Sequence, residues 1–399
     1  MARVSTTGAG PQLTPLGRAF VFLFIVGCIA GAMFLFMGVR PSGFTNWTAS
    51  VFRSRPQVEI GIACSTEKHG WLERAVTEFA KTSDGRRIKI NLIPMGSLES
   101  AHALLNGDPR INVWLPASAA YEDTFLQEWQ TKYNSNPIIR EEPLALTPMV
   151  FVIWDDRYQA FVQKYRSLSF ATVSQALEAK GGWDEIAHHP EWGNFKIGMA
   201  QPKQSNSGLM TLVLATYTYH HKTKNLTVKD VADPGFQRWL GDLESGASGM
   251  SNTTGNLMQE MILKGPSAYD ALFVYENLAI ESLANAEGRW GKLKIIYPEY
   301  NFWNDSPYYI LNASWSTADQ RKAADAFLNY LLTEPVQRES LKHGFRPANP
   351  MVPVKSPDSP FLQYAGNGVS VDVPRMCERP KPDVVTALLE GWERAQGNR

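Results

Sequence analysis

A chain of 399 residues is too long for one small core and calls for two domains or one bilobal domain. Hydrophobic residues make up 44% of it and charged residues 20%, which excludes a disordered or fibrous chain. The 39 basic and 39 acidic residues cancel, and residues 1–40 carry Arg3, Arg18 and Arg40 but no acid, so the body is slightly acidic and lacks an electrostatic footprint for nucleic acid.

From Ala19 to Val39 there are 21 residues without a charge. At about 1.5 Å per residue, a helix of that length crosses a hydrocarbon layer of about 30 Å. The expectation is a cytoplasmic tail (1–18), a transmembrane anchor (19–39) and a linker (40–56), with the body extracytoplasmic. Arginines flank both ends of the span, so the short tail rather than charge sets this orientation. Two alternatives stay open. One is a cleaved signal, although no small-residue cleavage site follows Val39; the other is lipidation at Cys28, where Ile25-Val26-Gly27-Cys28 loosely matches a lipobox. Only Cys64 and Cys377 lie beyond the span, and an exported body permits either a disulfide or two unpaired thiols.

The body then alternates strand and helix patterns. Val58–Cys64 reads as a strand, 69–82 as a helix with Trp71, Leu72, Val76 and Phe79 on one face, and 87–95 as a strand. A helix near 98–105, a strand at 111–118 and a helix at 120–133 follow. This order implies an open parallel sheet with helices on both faces and a ligand beyond the carboxyl ends of the strands. Those ends carry Ser65-Thr66, Ser97 and Ser118, which suits a pocket that hydrogen-bonds a polar ligand, although serine is common in such turns anyway. The apolar run Leu144–Trp154, broken by Pro148, reads as a strand passing between two lobes. Helices at 158–165 and 169–181 precede a strand at 193–202. Further helices fall near 211–221, 233–246 and 252–265, and a strand turns into a helix over 269–286. Strands at 292–299 and 307–314 and a helical stretch at 316–344 complete the pattern. Past Pro350 the chain is proline-rich and ends in a helix near 383–395.

Catalytic signatures are missing: the sequence has no nucleophile elbow, no Walker loop and no zinc-protease pair. His188-His189 and His220-His221 are adjacent pairs whose side chains diverge by about 100° on a helix, a poor chelate. Glu141-Glu142 and Asp155-Asp156 read as turn and surface charges. No base is implied for Ser205 or Ser207 as nucleophile, so neither an enzyme nor a cofactor is expected. Ser205, Asn206 and Ser207 instead read as the start of a helix, whose first N–H groups and dipole attract an anion or the negative end of a polar ligand. Gly208 would let a ligand approach the backbone.

Five motifs in order carry a resemblance: NVWLPAS (112–118), PKQSNSGL (202–209), DALFVYEN (270–277), YPEYNFWNDSPYYIL (297–311) and LKHGFRPANP (341–350). Together they resemble the type 2 periplasmic solute-binding proteins of ABC importers, on the branch with sulfate-, molybdate- and iron-binding members. Membrane-anchored solute-binding domains associated with von Willebrand factor A proteins are similar as well. The resemblance covers roughly 57–395. It implies an α/β fold of two lobes, each an open sheet with flanking helices, joined by a hinge and here preceded by one transmembrane helix. Lobe I would hold 57–147 and 301–399, with the tail past Pro350 packed on it, and lobe II would hold 148–300. The ligand-binding residues implied are Ser65, Thr66, Ser97 and Ser118 from lobe I, and Ser205, Asn206, Ser207, Tyr275 and Glu276 from lobe II. Beside a bound anion, Glu276 would have to be protonated, paired or turned away. The partners implied are a small polar solute (an oxyanion or a metal ion among the candidates) and an ABC permease or a von Willebrand factor A-type protein. The alternative is an interaction module that uses the same fold to hold a protein or cell-envelope partner.

Overall fold

The computed structural model describes residues 22–26, 57–247, 249–373 and 375–397. The chain divides into Met1–Pro56 and Gln57–Arg399. In the first unit residues 22–26 are helical with exposed side chains, and the rest of the expected anchor and linker lies outside the described residues. No helix among the described residues is long and apolar enough to cross a membrane.

The second unit is built on two five-stranded sheets. In the first, strands β1 (Val58–Cys64), β2 (Ile88–Pro94), β3 (Val113–Leu115), β4 (Ile138–Pro143) and β11 (Pro307–Leu311) lie in the order β2-β1-β3-β11-β4. β1 runs parallel to β2 and β3, as βαβ crossovers require, through helices α1 (His69–Phe79) and α2 (Ser97–Leu105). β11 and β4 pair antiparallel, so the sheet is mixed where an all-parallel one was expected. The cause is topological: β11 arrives from the other lobe rather than over a local helix. The third crossover helix, α3 (Glu122–Tyr133), therefore leads to an edge strand.

The second sheet holds β6 (Met149–Trp154), β7 (Ile197–Ala200), β8 (Gly249–Ser251), β9 (Ala271–Tyr275) and β10 (Leu293–Ile296) in the order β10-β6-β9-β7-β8. Every residue of β6 is buried, which is why its sequence is continuously apolar instead of alternating. Three helices enter from the carboxyl ends of this sheet: α4 (Asn206–Tyr219), α5 (Thr254–Lys264) and α6 (Glu276–Glu287). All of α4 through Tyr217 is buried, so it is a central helix rather than an amphipathic one.

Two segments cross between the sheets. The outgoing one contains β5 (Ala145–Leu146), Thr147 and Pro148; the returning one contains Asn304. They bridge antiparallel, with Thr147 N–H donating to the Asn304 carbonyl at 2.9 Å and Asn304 N–H to the Thr147 carbonyl at 3.0 Å. β5 also pairs with β12 (Arg346–Pro347).

The tail departs from the expectation that it lies on lobe I. Val352, Phe361 and Val369 pack in an apolar cluster with Val150, Leu257 and Val274 of the second lobe. The last helix, α7 (Pro382–Gly397), lies against both α3 of the first lobe and α4 of the second. Its apolar side chains, Val384, Val385 and Leu388, complete a cluster that includes Trp114 and Phe125 from one lobe and Phe151 and Phe273 from the other. Two parts of a chain that each leave an apolar face uncovered are better served by one strap than by separate caps.

The disulfide held open between Cys64 and Cys377 is not formed. Both thiols are free and buried, in separate apolar clusters. Burial pushes each up to about 12, so neither is a ready thiolate.

Candidate functional site

The carboxyl ends of β1 and β3 face the starts of α4, α5 and α6 across the interface between the sheets. After Cys64 the chain turns at Ser65 into one 3-10 turn, Thr66–Lys68, sunk into that interface. Glu67 is 4% exposed and Lys68 fully buried. A buried ammonium demands acceptors. Lys68 Nζ finds Glu67 Oε1 at 2.6 Å, the Pro116 carbonyl at 3.0 Å and Ser65 Oγ. Ser65 Oγ donates to the same Glu67 oxygen at 2.6 Å, which closes a triangle of ammonium, carboxylate and hydroxyl.

The second lobe supplies the opposite wall. Ser205 precedes α4 with extended backbone, φ −113° and ψ 134°, yet its hydroxyl does not cap the helix. It lies 3.1 Å from Ser207 Oγ and 3.3 Å from Thr254 Oγ1, and these last two are 2.6 Å apart. The hydroxyls turn toward α5, and the side chain of Ser205 does not cap the positive end of α4. Asn206 is the central connector. Its Oδ1 accepts from Ser118 Oγ at 2.7 Å, and its Nδ2 donates to the Tyr275 hydroxyl at 3.1 Å and to Asn304 Oδ1 at 2.9 Å. One amide thus touches lobe I, lobe II and the returning crossover.

Backbone contacts close the rest. Leu98 N–H and Glu99 N–H, in the first turn of α2, donate to the Gln204 carbonyl at 3.1 and 3.2 Å. Gly255 N–H donates to Thr66 Oγ1 at 3.1 Å, and Asn277 Nδ2 to the Glu67 carbonyl at 2.9 Å. Burial pushes the Tyr275 phenol well above its ordinary value, and the neighbouring Glu67 charge adds to this. Burial also raises the Asp305 carboxyl, although Asp305 accepts from Ala119 N–H at 3.0 Å and lies near Arg379 and Lys68. The site is rich in hydroxyl and amide donors around one ammonium. Among the described residues no three His, Cys, Asp or Glu side chains are grouped to hold a metal ion.

The sequence pattern of the bacterial extracellular solute-binding proteins matches residues 60–346, most of the chain. The chain belongs to this family. Three solved structures illustrate its fold. The iron-bound HitA from Pseudomonas aeruginosa has a TM-score of 0.54 at 11% identity, covering 85% of this chain and 99% of that one. The sulfate-binding protein SubI from Mycobacterium tuberculosis scores 0.53 at 13%, covering 86% and 99%. AfuA from Actinobacillus pleuropneumoniae, with fructose-6-phosphate bound, scores 0.53 at 14%, covering 86% and 98%. A search of curated protein sequences found no match.

Within this solute-binding fold the residues expected at the site divide. Ser118 bonds Asn206, which bonds Tyr275, and Ser205 and Ser207 bond each other and Thr254. Thr66 reaches Gly255 of the second lobe, whereas Ser65 bonds Glu67 and Lys68 of its own lobe. Ser97 also stays within its own lobe, since its Oγ accepts from Ala117 N–H at 3.0 Å and braces the first lobe internally. Glu276 is turned away and paired: Arg346 Nε and Nη2 grip its two oxygens at 2.8 and 2.7 Å, and the Tyr297 hydroxyl donates to one of them. Gly208 serves packing and not a ligand. A Cβ there would overlap the backbone of Ala200 and Gln201.

Sequence reasoning passed over Glu67, Lys68, Thr254, Asn277 and Asn304. Charged residues after a strand read as a solvated helix start, so Glu67 and Lys68 gave no signal of burial. Thr254 did leave one: Thr254-Gly255 repeats the hydroxyl-then-glycine order of Ser207-Gly208 at a helix start. Glu141, read as a turn or surface charge, is indeed exposed in β4, where partial desolvation and the Glu122 carboxylate push it up to about 7.

Proposed function

We propose that this chain is a membrane-tethered, extracytoplasmic solute-binding protein that grips a small oxygen-rich anion between its lobes, to supply an ABC importer or to report on the solute. The observation that carries this reading is the fully buried Lys68 ammonium in the turn after β1, bonded by Ser65, in a seam that Ser118 closes onto Asn206 at the start of α4. The structural neighbours named above hold iron, sulfate or a sugar phosphate, so the fold leaves the ligand class open and the side chains must choose it. Here Glu276, the carboxylate expected at the site, is paired with Arg346 elsewhere, and Glu67, the carboxylate that does lie there, is bonded by Lys68 and Ser65, which favours an anion over a cation. The tether rests on the uncharged stretch Ala19–Val39.

The test is a thermal-shift and calorimetric panel on the full chain in mild detergent, with oxyanions, divalent metals, polyamines, sugars and amino acids. A bound oxyanion at a hundredfold excess over Kd adds about 2.7 kcal/mol of stability. N206A, which removes the amide joining both lobes, should weaken that binding at least tenfold. A chain that responds to metals or amines but to no oxyanion sinks the anion assignment. No response to any solute favours a second reading, an interaction module holding a protein or cell-envelope partner. That reading draws on the direct bonds between lobes, Ser118 to Asn206 and α2 to Gln204, which shut the cleft with the chain's own atoms.

A further inference from the structure

Glu67 occupies an odd position for a structural ion pair. Its carboxylate is bonded by Ser65 and Lys68, the two lobe I groups best suited to a bound anion. Its backbone carbonyl is held from lobe II by Asn277, and Thr66 beside it is held by Gly255. The pair therefore lies in the seam between the lobes and not inside either one. Buried pairs are often no more stabilising than apolar residues of the same size, so stability alone gives little reason for one here. A shut cleft gives a better one: Lys68 cannot be enclosed without an anion, and the chain provides its own.

We propose that the Glu67 carboxylate is a built-in surrogate for the solute, and that the solute subsite formed by Ser65 and Lys68 takes a small carboxylate or comparable oxyanion in its place. This rests on the anion reading above. When the lobes part, Glu67 can swing into water and free Lys68; when they close, either Glu67 or a solute anion fills the same place. Solute and side chain then compete, and the apparent affinity is lowered by the fraction of molecules in which Glu67 holds the subsite. No other chemistry is needed, since nothing is made or broken except hydrogen bonds and an ion pair.

The experiment compares wild type, E67A and E67A/K68M by thermal shift and calorimetry in sodium acetate, formate or sulfate, against sodium chloride at equal ionic strength. Shortening Glu67 leaves a space about the size of acetate beside Lys68. The expected result is saturable stabilisation of E67A by acetate or formate, at least tenfold tighter than for wild type and lost in E67A/K68M. If E67A does not fold in chloride, its recovery on refolding in acetate counts as the same result, and no recovery overturns the proposal. Wild type binding an oxyanion as tightly as E67A, or more tightly, overturns the surrogate role while leaving the anion reading intact. No anion binding by either protein removes both.

Discussion

At the residue scale the clearest division of labour is between two buried carboxylates. Glu67 sits in the seam with Lys68, whereas Glu276 is fully enclosed with Arg346 and Tyr297. Burial raises the Glu276 carboxyl, and Arg346 works against that shift by holding the charged form. Removing the guanidinium in R346M leaves an uncompensated buried charge, which costs about 3–5 kcal/mol at neutral pH. The sign of the pH dependence follows. A carboxyl raised in the folded state binds its proton more tightly there than in the unfolded chain, so its contribution to stability is lost as pH rises. In R346M that loss should begin near the ordinary value of 4.5 and extend upward. Urea midpoints of wild type and R346M from pH 4.5 to 8 should diverge as pH rises. A constant gap would mean that Glu276 is not the group left exposed to the change.

At the element scale, the close approach of two helix starts is set by backbone contacts. α4 begins against residues 200–201, so close that Gly208 has no room for a Cβ. Gly96 immediately precedes α2, and a Cβ there would fall on the Gln204 carbonyl oxygen of the other lobe. Both glycines are required by contact, but one contact is within a lobe and the other between lobes. G208A should therefore destabilise the fold by about 1–3 kcal/mol, the usual cost of overpacking, readable as a lower urea midpoint. An unchanged midpoint would show that α4 can shift at no cost.

At the scale of the whole molecule, closure is a balance between a hinge and a strap. The bridge of Thr147 with Asn304 gives the lobes two adjacent crossovers, and Asn304 is bonded in turn to Asn206 of the site. Under the proposed function, occupation of the site and the state of the hinge share a residue, the kind of shared two-state element that couples binding to domain motion. α7 opposes opening because it lies against α3 and α4 at once, and Arg379 near its start pairs with Glu122 of the first lobe at 3.0 Å. G96A removes close approach of the lobes without touching the core of either. It should enlarge the radius of gyration seen by small-angle scattering relative to wild type. An unchanged radius would mean that α7 alone fixes the spacing.

The sequence by itself determined the alternating α/β plan, the break at Pro148 and the hydroxyl-bearing ends at Ser65-Thr66, Ser118 and Ser205–Ser207, because periodicity and turn chemistry are local properties. The order of its motifs pointed to the family. What only the tertiary structure decided were the contacts made at a distance. It reversed β11 in the first sheet, put the tail across both lobes, kept Cys64 from Cys377 and gave Glu276 to Arg346. It also buried Glu67 and Lys68, which no pattern marks, since a charge is driven inside only when another part of the chain, remote in sequence, arrives to cover it.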